Sequence, residues 1–175
     1  VNNLLSVSRI ESGRLEYNLA PVNLEHIAES VLLDIYPIAN KKQVSVNLRG
    51  KGLSLPSATA DTEKIRVVFQ NILENAVKYT PPGGQVTLDL RNRGSEILVS
   101  ITANGIGIPK DEQKGIFKLF YRAPSAIKMQ SEGSGLGLYL ARAIIEGHGG
   151  RLWFESEVGK GSSFYFTVPL SRKTP

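Results

Sequence analysis

Apolar residues recur at helical spacing in some stretches of the chain and alternate with polar residues in others. Helical spacing marks four stretches: 1–16, 24–40, the stretch that follows Asp61, and 134–147. Alternation marks five: 44–48, 86–90, 97–101, 151–155 and 163–168. The pattern predicts an α+β fold, a two-layer α/β sandwich in which three main helices cover one face of a mixed, mostly antiparallel sheet. The stretch at 1–16 adds an N-terminal helical stub.

The chain divides into four parts on this pattern. Residues 1–16 form the helical stub, 17–23 a linker stiffened by Pro21, 24–170 one domain, and 171–175 a tail. Asp61 is suited to cap the helix that follows it, and Pro37 should kink or shorten the last turn of the helix before it. The chain begins at Val1 inside a helical pattern, so we expect it to be a piece of a longer protein.

The helix that follows Asp61 has an unusual second face. Asn71, Asn75 and Lys78 fall at i, i+4 and i+7, so they project together, away from the apolar stripe. An amide oxygen is a ligand that Mg²⁺ accepts, and an ammonium is a point charge for phosphate. An ordinary solvated helix face is the alternative interpretation of this helix taken alone.

Two glycine-rich segments, Thr102–Pro109 and Gly133–Leu138, favour a ligand site over a solvated helix face. A single G-x-G is weak evidence for a ligand site. Here five features follow one another along the chain: a polar helix, a strand, a G-x-G turn, the aromatic pair Phe117 and Phe120, and a G-x-G-x-G segment that opens a helix. This order resembles the N, G1, F and G2 boxes of the ATP-binding catalytic domain of sensor histidine kinases, a superfamily shared with DNA gyrase, Hsp90 and MutL. The resemblance covers about residues 1–170, and residues 1–15 resemble the end of the second dimerisation helix.

The resemblance implies a role for each matching residue. Asn75 would be the Mg²⁺ ligand, Asn71 would support the metal's water shell, Lys78 would contact phosphate, Tyr79 would pack beside the base, and Arg122 would reach the γ-phosphate. The remaining nucleotide-contacting positions would be Ala103, Gly105, Ile106, Gly107, Ile108, Tyr121, Gly133, Gly135, Leu136, Gly137 and Leu138. Among these, Ile106, Ile108 and Leu136 would form walls of the base pocket. Residues 121–133, here called the lid segment, would be the ATP lid, and a disordered surface loop is a compatible interpretation.

Ala103 departs from the family pattern. Members carry an aspartate at this position, and its carboxylate accepts a hydrogen bond from the adenine amino group. The other boxes are intact, which favours an engineered substitution over an inherited one, although the sequence does not separate the two. We expect weakened ATP binding in either case.

The implied activity is presentation of the γ-phosphate of Mg·ATP to a histidine on dimerisation helices that this chain lacks. An acidic response regulator would then receive the phosphoryl group. His26 and His148 lie outside the context of a phosphorylated histidine, so we expect both to be structural and the chain alone to be inactive. Two alternatives are a stand-alone ATPase, disfavoured because Asn71 stands where a glutamate base is needed, and a non-catalytic interaction module with a degenerate pocket.

Composition limits the remaining possibilities. The 175 residues include no cysteine, which excludes disulfides, and the net charge is +5. Lys and Arg are scattered, so we predict no nucleic-acid binding despite the basic charge. No apolar run is long enough to span a bilayer, and we expect a cytoplasmic domain that makes no membrane contact, whether or not the full-length protein is anchored in a membrane.

Overall fold

The computed structural model describes residues 2–49 and 55–170. Its helices are α1 (Asn2–Glu11), α2 (Leu24–Lys41), α3 (Thr62–Lys78), α4 (Pro124–Met129) and α5 (Gly137–Gly147). Its strands are β1 (Ala20–Val22), β2 (Ser45–Arg49), β3 (Ala58–Ala60), β4 (Gln85–Asn92), β5 (Glu96–Ala103), β6 (Leu152–Glu157) and β7 (Gly161–Pro169). Val1 and the predicted tail, 171–175, lie outside the described residues.

The main sheet has five strands in the order β2-β4-β5-β7-β6. Only the β2–β4 pair is parallel among these neighbours, so the sheet is mixed and mostly antiparallel, as predicted. Side chains alternate along β5, where Ile97, Val99, Ile101 and Ala103 are buried. Ala103 is the last residue of β5 and pairs with Val86 of β4 and Ser162 of β7.

Helices α2 and α5 both pack on α3, and the three helices form the second layer. The centre of the core lies between α3 and the sheet, where the rings of Phe69 and Phe166 meet edge to face at 5.2 Å, both fully buried. Amphipathic helices bury their apolar stripes in this way because burial of apolar area is the main favourable term in folding. The predicted two-layer sandwich with three main helices on one face is confirmed.

Two predicted helix boundaries, the end of α1 and the start of α5, are wrong, and the structure adds detail at Pro37 and in the linker. Helix α1 ends at Glu11 rather than at residue 16, because Gly13 adopts φ +65° and its N–H bonds to the Ile10 carbonyl at 2.9 Å. Pro37 does not shorten α2, which continues to Lys41. Helix α5 begins at Gly137 rather than at residue 134. Inside the predicted linker, β1 pairs with β3, so this segment is held against the domain.

A hydrogen-bonded cluster joins the linker to α3 and α5. Asp61 caps α3, as predicted, and its carboxylate accepts the N–H groups of Lys64 at 3.1 Å and of Asn18 at 2.9 Å. The Asp61 N–H donates to Nε2 of His148 at 3.0 Å, and Nδ1 of His148 lies 2.7 Å from the Ile144 carbonyl. Both ring nitrogens of this buried histidine are therefore used inside the fold, which gives it a structural role.

The second histidine lies at the start of α2. Its backbone N–H donates to the side chain of Asn23, the cap of that helix, at 3.1 Å, and its side chain is exposed. His26 thus belongs to a helix terminus and takes no part in the cluster around Asp61.

Candidate functional site

A cavity of about 290 Å³ opens between α3, the loop after β5, the lid segment and the start of α5. Fifteen of the predicted site residues line it: Asn71, Asn75, Lys78, Tyr79, Ala103, Gly105, Ile106, Gly107, Ile108, Tyr121, Arg122, Gly133, Gly135, Gly137 and Leu138. Leu136 does not line it. Its backbone caps α5 and its side chain is buried, so its predicted place in the pocket wall is not supported.

The polar face of α3 forms one wall of the cavity. Asn71 and Asn75 both face into it, and the Asn71 amide nitrogen is buried without a hydrogen-bond partner among the described residues. A buried polar atom of this kind costs free energy unless a partner satisfies it. A bound polar ligand in this cavity would supply that partner.

Two cations in the cavity hold the lid segment. The Lys78 ammonium donates to the Glu132 carbonyl, and the Arg122 guanidinium donates to the carbonyls of Gln130 at 2.6 Å, Ser131 and Glu132. Burial lowers the pKa of Lys78 and the nearby charge of Arg122 lowers it further, while the carboxylates of Glu132 and Glu74 oppose the shift. Positive charge is thus concentrated at the end of the cavity nearest the lid segment.

Glycines leave room where backbone segments approach closely around the cavity. A Cβ on Gly105 would lie 2.4 Å from the Tyr79 carbonyl oxygen, and one on Gly107, whose φ is +72°, would lie 2.1 Å from that of Glu157. The Gly135 backbone passes equally close to Phe120 and Tyr121. These positions therefore admit no side chain without movement of the backbone.

The lid segment is irregular at its ends and helical in the middle. Helix α4 lies inside it, which corrects the interpretation of the segment as a disordered loop. The Glu112 carboxylate accepts from both the backbone N–H and the hydroxyl of Ser125. The Tyr121 hydroxyl donates to the Glu112 carbonyl at 3.1 Å. Glu112 thus fixes the first half of the lid segment.

The two aromatic residues of the predicted F box differ in their surroundings. Phe117 packs against the core and meets Phe154 edge to face at 5.7 Å. Phe120 is 60% exposed and adopts φ +60°, which is uncommon for a residue with a side chain. Only the first of the pair contributes to packing.

Several residues that line the cavity were not predicted: Glu74, Ala76, Thr80, Ile101, Ile116, Ala123, Ser125, Ala126, Ser134, Ser162 and Phe164. Ile101 shares the inward face of β5 with Ala103, so strand alternation carried a signal for it. Ser162 lies opposite Ala103 only through the register of β7, which the sequence does not reveal.

Residues 2–49 and 55–170 lack two further features. No helix in these ranges combines the length and apolar character that crossing a membrane requires. No group of three or more His, Cys, Asp or Glu side chains lies close enough together there to hold a metal ion.

Residues 60–172 match the family described as "Histidine kinase-, DNA gyrase B-, and HSP90-like ATPase". The chain belongs to this family. It is also 36% identical over 173 residues to the adaptive-response sensory kinase SasA of Synechococcus sp. (strain JA-2-3B'a(2-13)), a match over 98% of this chain and 45% of SasA. The sensor histidine kinase WalK of Bacillus subtilis (strain 168) is 34% identical over an alignment 177 residues long, which covers 99% of this chain and 28% of WalK.

A solved structure of full-length ShkA in complex with AMPPNP has the same fold. Its TM-score is 0.84 at 28% sequence identity, over 99% of this chain and 36% of ShkA. The chain therefore has the catalytic ATPase-type domain of histidine kinases. It spans less than half the length of these relatives, 45% in SasA and 28% in WalK.

Proposed function

We propose that this chain is the ATP-binding catalytic part of a two-component sensor histidine kinase, which presents the γ-phosphate of ATP to a histidine on helices outside the chain. One observation carries the proposal: a single cavity brings together the amides of α3, two cations and the start of α5. Phosphoryl transfer depends mainly on positioning and charge neutralisation, and these groups supply both.

Different residues of the cavity would contact the phosphates and the base of the nucleotide. Lys78 and Arg122 would exchange the lid carbonyls that they now hold for phosphate oxygens, and the N–H groups at the start of α5, beginning at Gly137, would add donors. Tyr79 and Ile106 would border the base. The glycines at 105 and 107 let the loop after β5 pack closely on the backbone of Tyr79 and Glu157, which fixes this wall of the cavity.

The donor set also fits a magnesium ion. Asn75 would hold it through one amide oxygen and Asn71 would orient its water shell, because Mg²⁺ keeps several waters and needs few protein ligands. When bound, Mg²⁺ neutralises charge on the phosphates. The orphaned amide nitrogen of Asn71 is consistent with a polar ligand at this position.

Ala103 leaves the base end of the cavity without a carboxylate. It is the last residue of β5, it is 6% exposed, and it lines the cavity opposite Ser162. A carboxylate at this position would accept from the adenine amino group. Loss of a charged acceptor costs about 1.5–3 kcal/mol, which corresponds to roughly ten- to more than a hundredfold weaker ATP binding.

Calorimetry with a non-hydrolysable ATP analogue and its GTP counterpart tests this proposal. Ala103→Asp should bind the ATP analogue more tightly by that factor and should prefer it over the GTP counterpart. A matched control is Ala126→Asp, which adds the same charge to the lid side of the cavity and should not tighten binding. Equal affinities of the chain and of Ala103→Asp would show that residue 103 does not read the base.

The missing carboxylate at residue 103 also supports a second candidate, a non-catalytic interaction module derived from a kinase. This module would bind no nucleotide even after Ala103→Asp restores the carboxylate, which separates it from the kinase proposal. A stand-alone ATPase is less well supported, because Asn71 cannot take a proton from water.

Transfer would require acceptor helices and a response regulator that collects the phosphoryl group. The chain alone should therefore take up no label from radiolabelled ATP and Mg²⁺ on a gel run under alkaline conditions. Stable label on His26 or His148 would contradict this assignment.

A further inference from the structure

Four carbonyls at the C-terminal end of α3, those of Ala76, Val77, Lys78 and the capping residue Tyr79, accept hydrogen bonds. The Ala76 carbonyl accepts from the Thr80 hydroxyl at 2.7 Å, and that of Tyr79 accepts from the Ile106 N–H at 3.1 Å. The Lys42 ammonium supplies the rest: it donates to the Val77 carbonyl at 3.0 Å and to the Lys78 carbonyl. Helix ends normally leave such carbonyls to water, so this end of α3 is fixed from outside the helix.

The backbone that carries Lys42 is itself held in place. Lys42 caps α2, and its N–H bonds to the carbonyls of Ile38 at 3.2 Å and Ala39 at 3.1 Å. Gln43 follows with φ +59°, which turns the chain back, and its carbonyl accepts the Gly83 N–H at 2.7 Å. The ammonium therefore reaches α3 from a defined position.

The positive charge of Lys42 lies at the C-terminal end of α3. A cation at the C-terminus of a helix interacts favourably with the negative end of the helix dipole. Burial lowers the pKa of Lys42, and the charge of Lys78 lowers it further. Two ammonium groups thus lie near one helix end, and only that of Lys78 belongs to a residue that lines the cavity.

We infer that Lys42 is a positioning residue of the nucleotide site: it holds the last turn of α3 so that the Lys78 side chain stays directed into the cavity. Lys42 does not line the cavity, so it acts through the backbone carbonyls that it bonds. This inference rests on the proposed function, because the cavity must take a phosphate-bearing nucleotide for the position of Lys78 to matter.

The test compares Lys42→Met with Lys41→Met, which removes the same charge from the neighbouring exposed residue. Amide hydrogen exchange, measured without nucleotide, should be about tenfold or more faster at Tyr79 and Thr80 in Lys42→Met, as loss of a charge-assisted hydrogen bond predicts. Lys41→Met should leave these rates unchanged. Lys42→Arg keeps the charge and the donors, so it should retain most of the protection of these two amides from exchange. If Lys42→Met does not fold, Lys42→Gln takes its place.

A comparison of the affinities for ADP and for adenosine tests whether Lys42 positions the phosphate-binding residue Lys78 or only stabilises the fold. Lys42→Met should weaken ADP about tenfold and leave adenosine nearly unchanged, because only the phosphate contacts depend on Lys78. Unchanged exchange at Tyr79 and Thr80 would overturn the inference, as would faster exchange with an unchanged ratio of ADP to adenosine affinity. Absence of ADP binding by the unaltered chain and by Ala103→Asp would instead overturn the proposed function.

Discussion

Helix α3 and the lid segment form opposite sides of the same cavity, and they are held by different kinds of contact. Helix α3 is capped by Asp61 at its start, and two of its last carbonyls are bonded by Lys42, which does not line the cavity. The second half of the lid segment is held by Lys78 and Arg122, which themselves line the cavity. A phosphate ligand therefore competes with the contacts of the lid segment and not with those of α3.

This difference indicates where the site is preformed and where it must change. Structure that is stabilised by many buried contacts opens only at a high free-energy cost, whereas exposed contacts open at a low cost. The α3 side, with the loop after β5, should behave as a rigid surface. The lid segment should exchange one set of oxygen partners for another.

The largest expected effect tests the rigid side. Gly107→Ala forces a positive φ on alanine and places Cβ 2.1 Å from the Glu157 carbonyl oxygen. We expect a loss of about 3 kcal/mol or more in the free energy of unfolding, measured by urea denaturation. The control is Gly94→Ala, since Gly94 has φ +86° with no atom near its Cβ position and should cost only about 1 kcal/mol. Equal losses would mean that the loop after β5 yields easily.

The second prediction concerns the N-terminal cap of α3. Burial alone raises the pKa of Asp61, but hydrogen bonds from the backbone of Asn18, Lys64 and Glu63, with the charge of Lys64, lower it overall. A depressed folded-state pKa contributes stability above the unfolded value, near 3.8, and that contribution is lost as the pH falls through the folded value.

Asp61→Asn should therefore cost about 1.5 kcal/mol at pH 7, and the difference from the unaltered chain should shrink below about pH 4. Thermal unfolding at several pH values measures this. Asp111→Asn, at an exposed position, serves as the control. A difference that stays constant down to pH 2 would show that the charge of Asp61 is not what stabilises the cap.

The third prediction tests how the lid segment is held. Arg122→Gln removes the guanidinium that bonds the carbonyls of Gln130, Ser131 and Glu132. Trypsin should then cut after Lys128 about tenfold faster, because the segment opens more often. Arg93→Gln, on an exposed turn, should leave the rate unchanged. Equal rates in both variants would show that Arg122 does not restrain the segment.

The sequence predicted the rigid side of the site better than the lid segment, and the reason is physical. Asn71, Asn75 and Lys78 lie on one helix face, and helical periodicity alone brings them together. The contact of Lys42 with α3 joins two helices far apart in the chain, and no local pattern reports such a contact. Neither Ser162 nor the pairing of β1 with β3 could be predicted, because both depend on strand register.

Boundaries were missed where local patterns were weak. The α4 segment is six residues long, too short for helical periodicity to be distinguished from a loop. Leu136 continues the apolar pattern of α5, yet it lies at the helix cap, where its side chain is buried and does not line the cavity. A motif match locates such a residue in the chain but does not determine the direction of its side chain.

The smallest expected effect separates the two aromatic residues beside the lid segment. Phe120 is 60% exposed, and its φ of +60° costs free energy that no packing of its ring offsets. Phe120→Ala should change the free energy of unfolding by less than about 0.5 kcal/mol. Phe120→Gly should have a free energy of unfolding about 1 kcal/mol higher than that of Phe120→Ala, because glycine adopts this conformation freely. Phe117→Ala, which removes a ring packed on Phe154, should cost about 2–3 kcal/mol. Urea denaturation of the three variants measures these differences, and a Phe120→Gly variant less stable than Phe120→Ala would show that residue 120 leaves the left-handed conformation in solution.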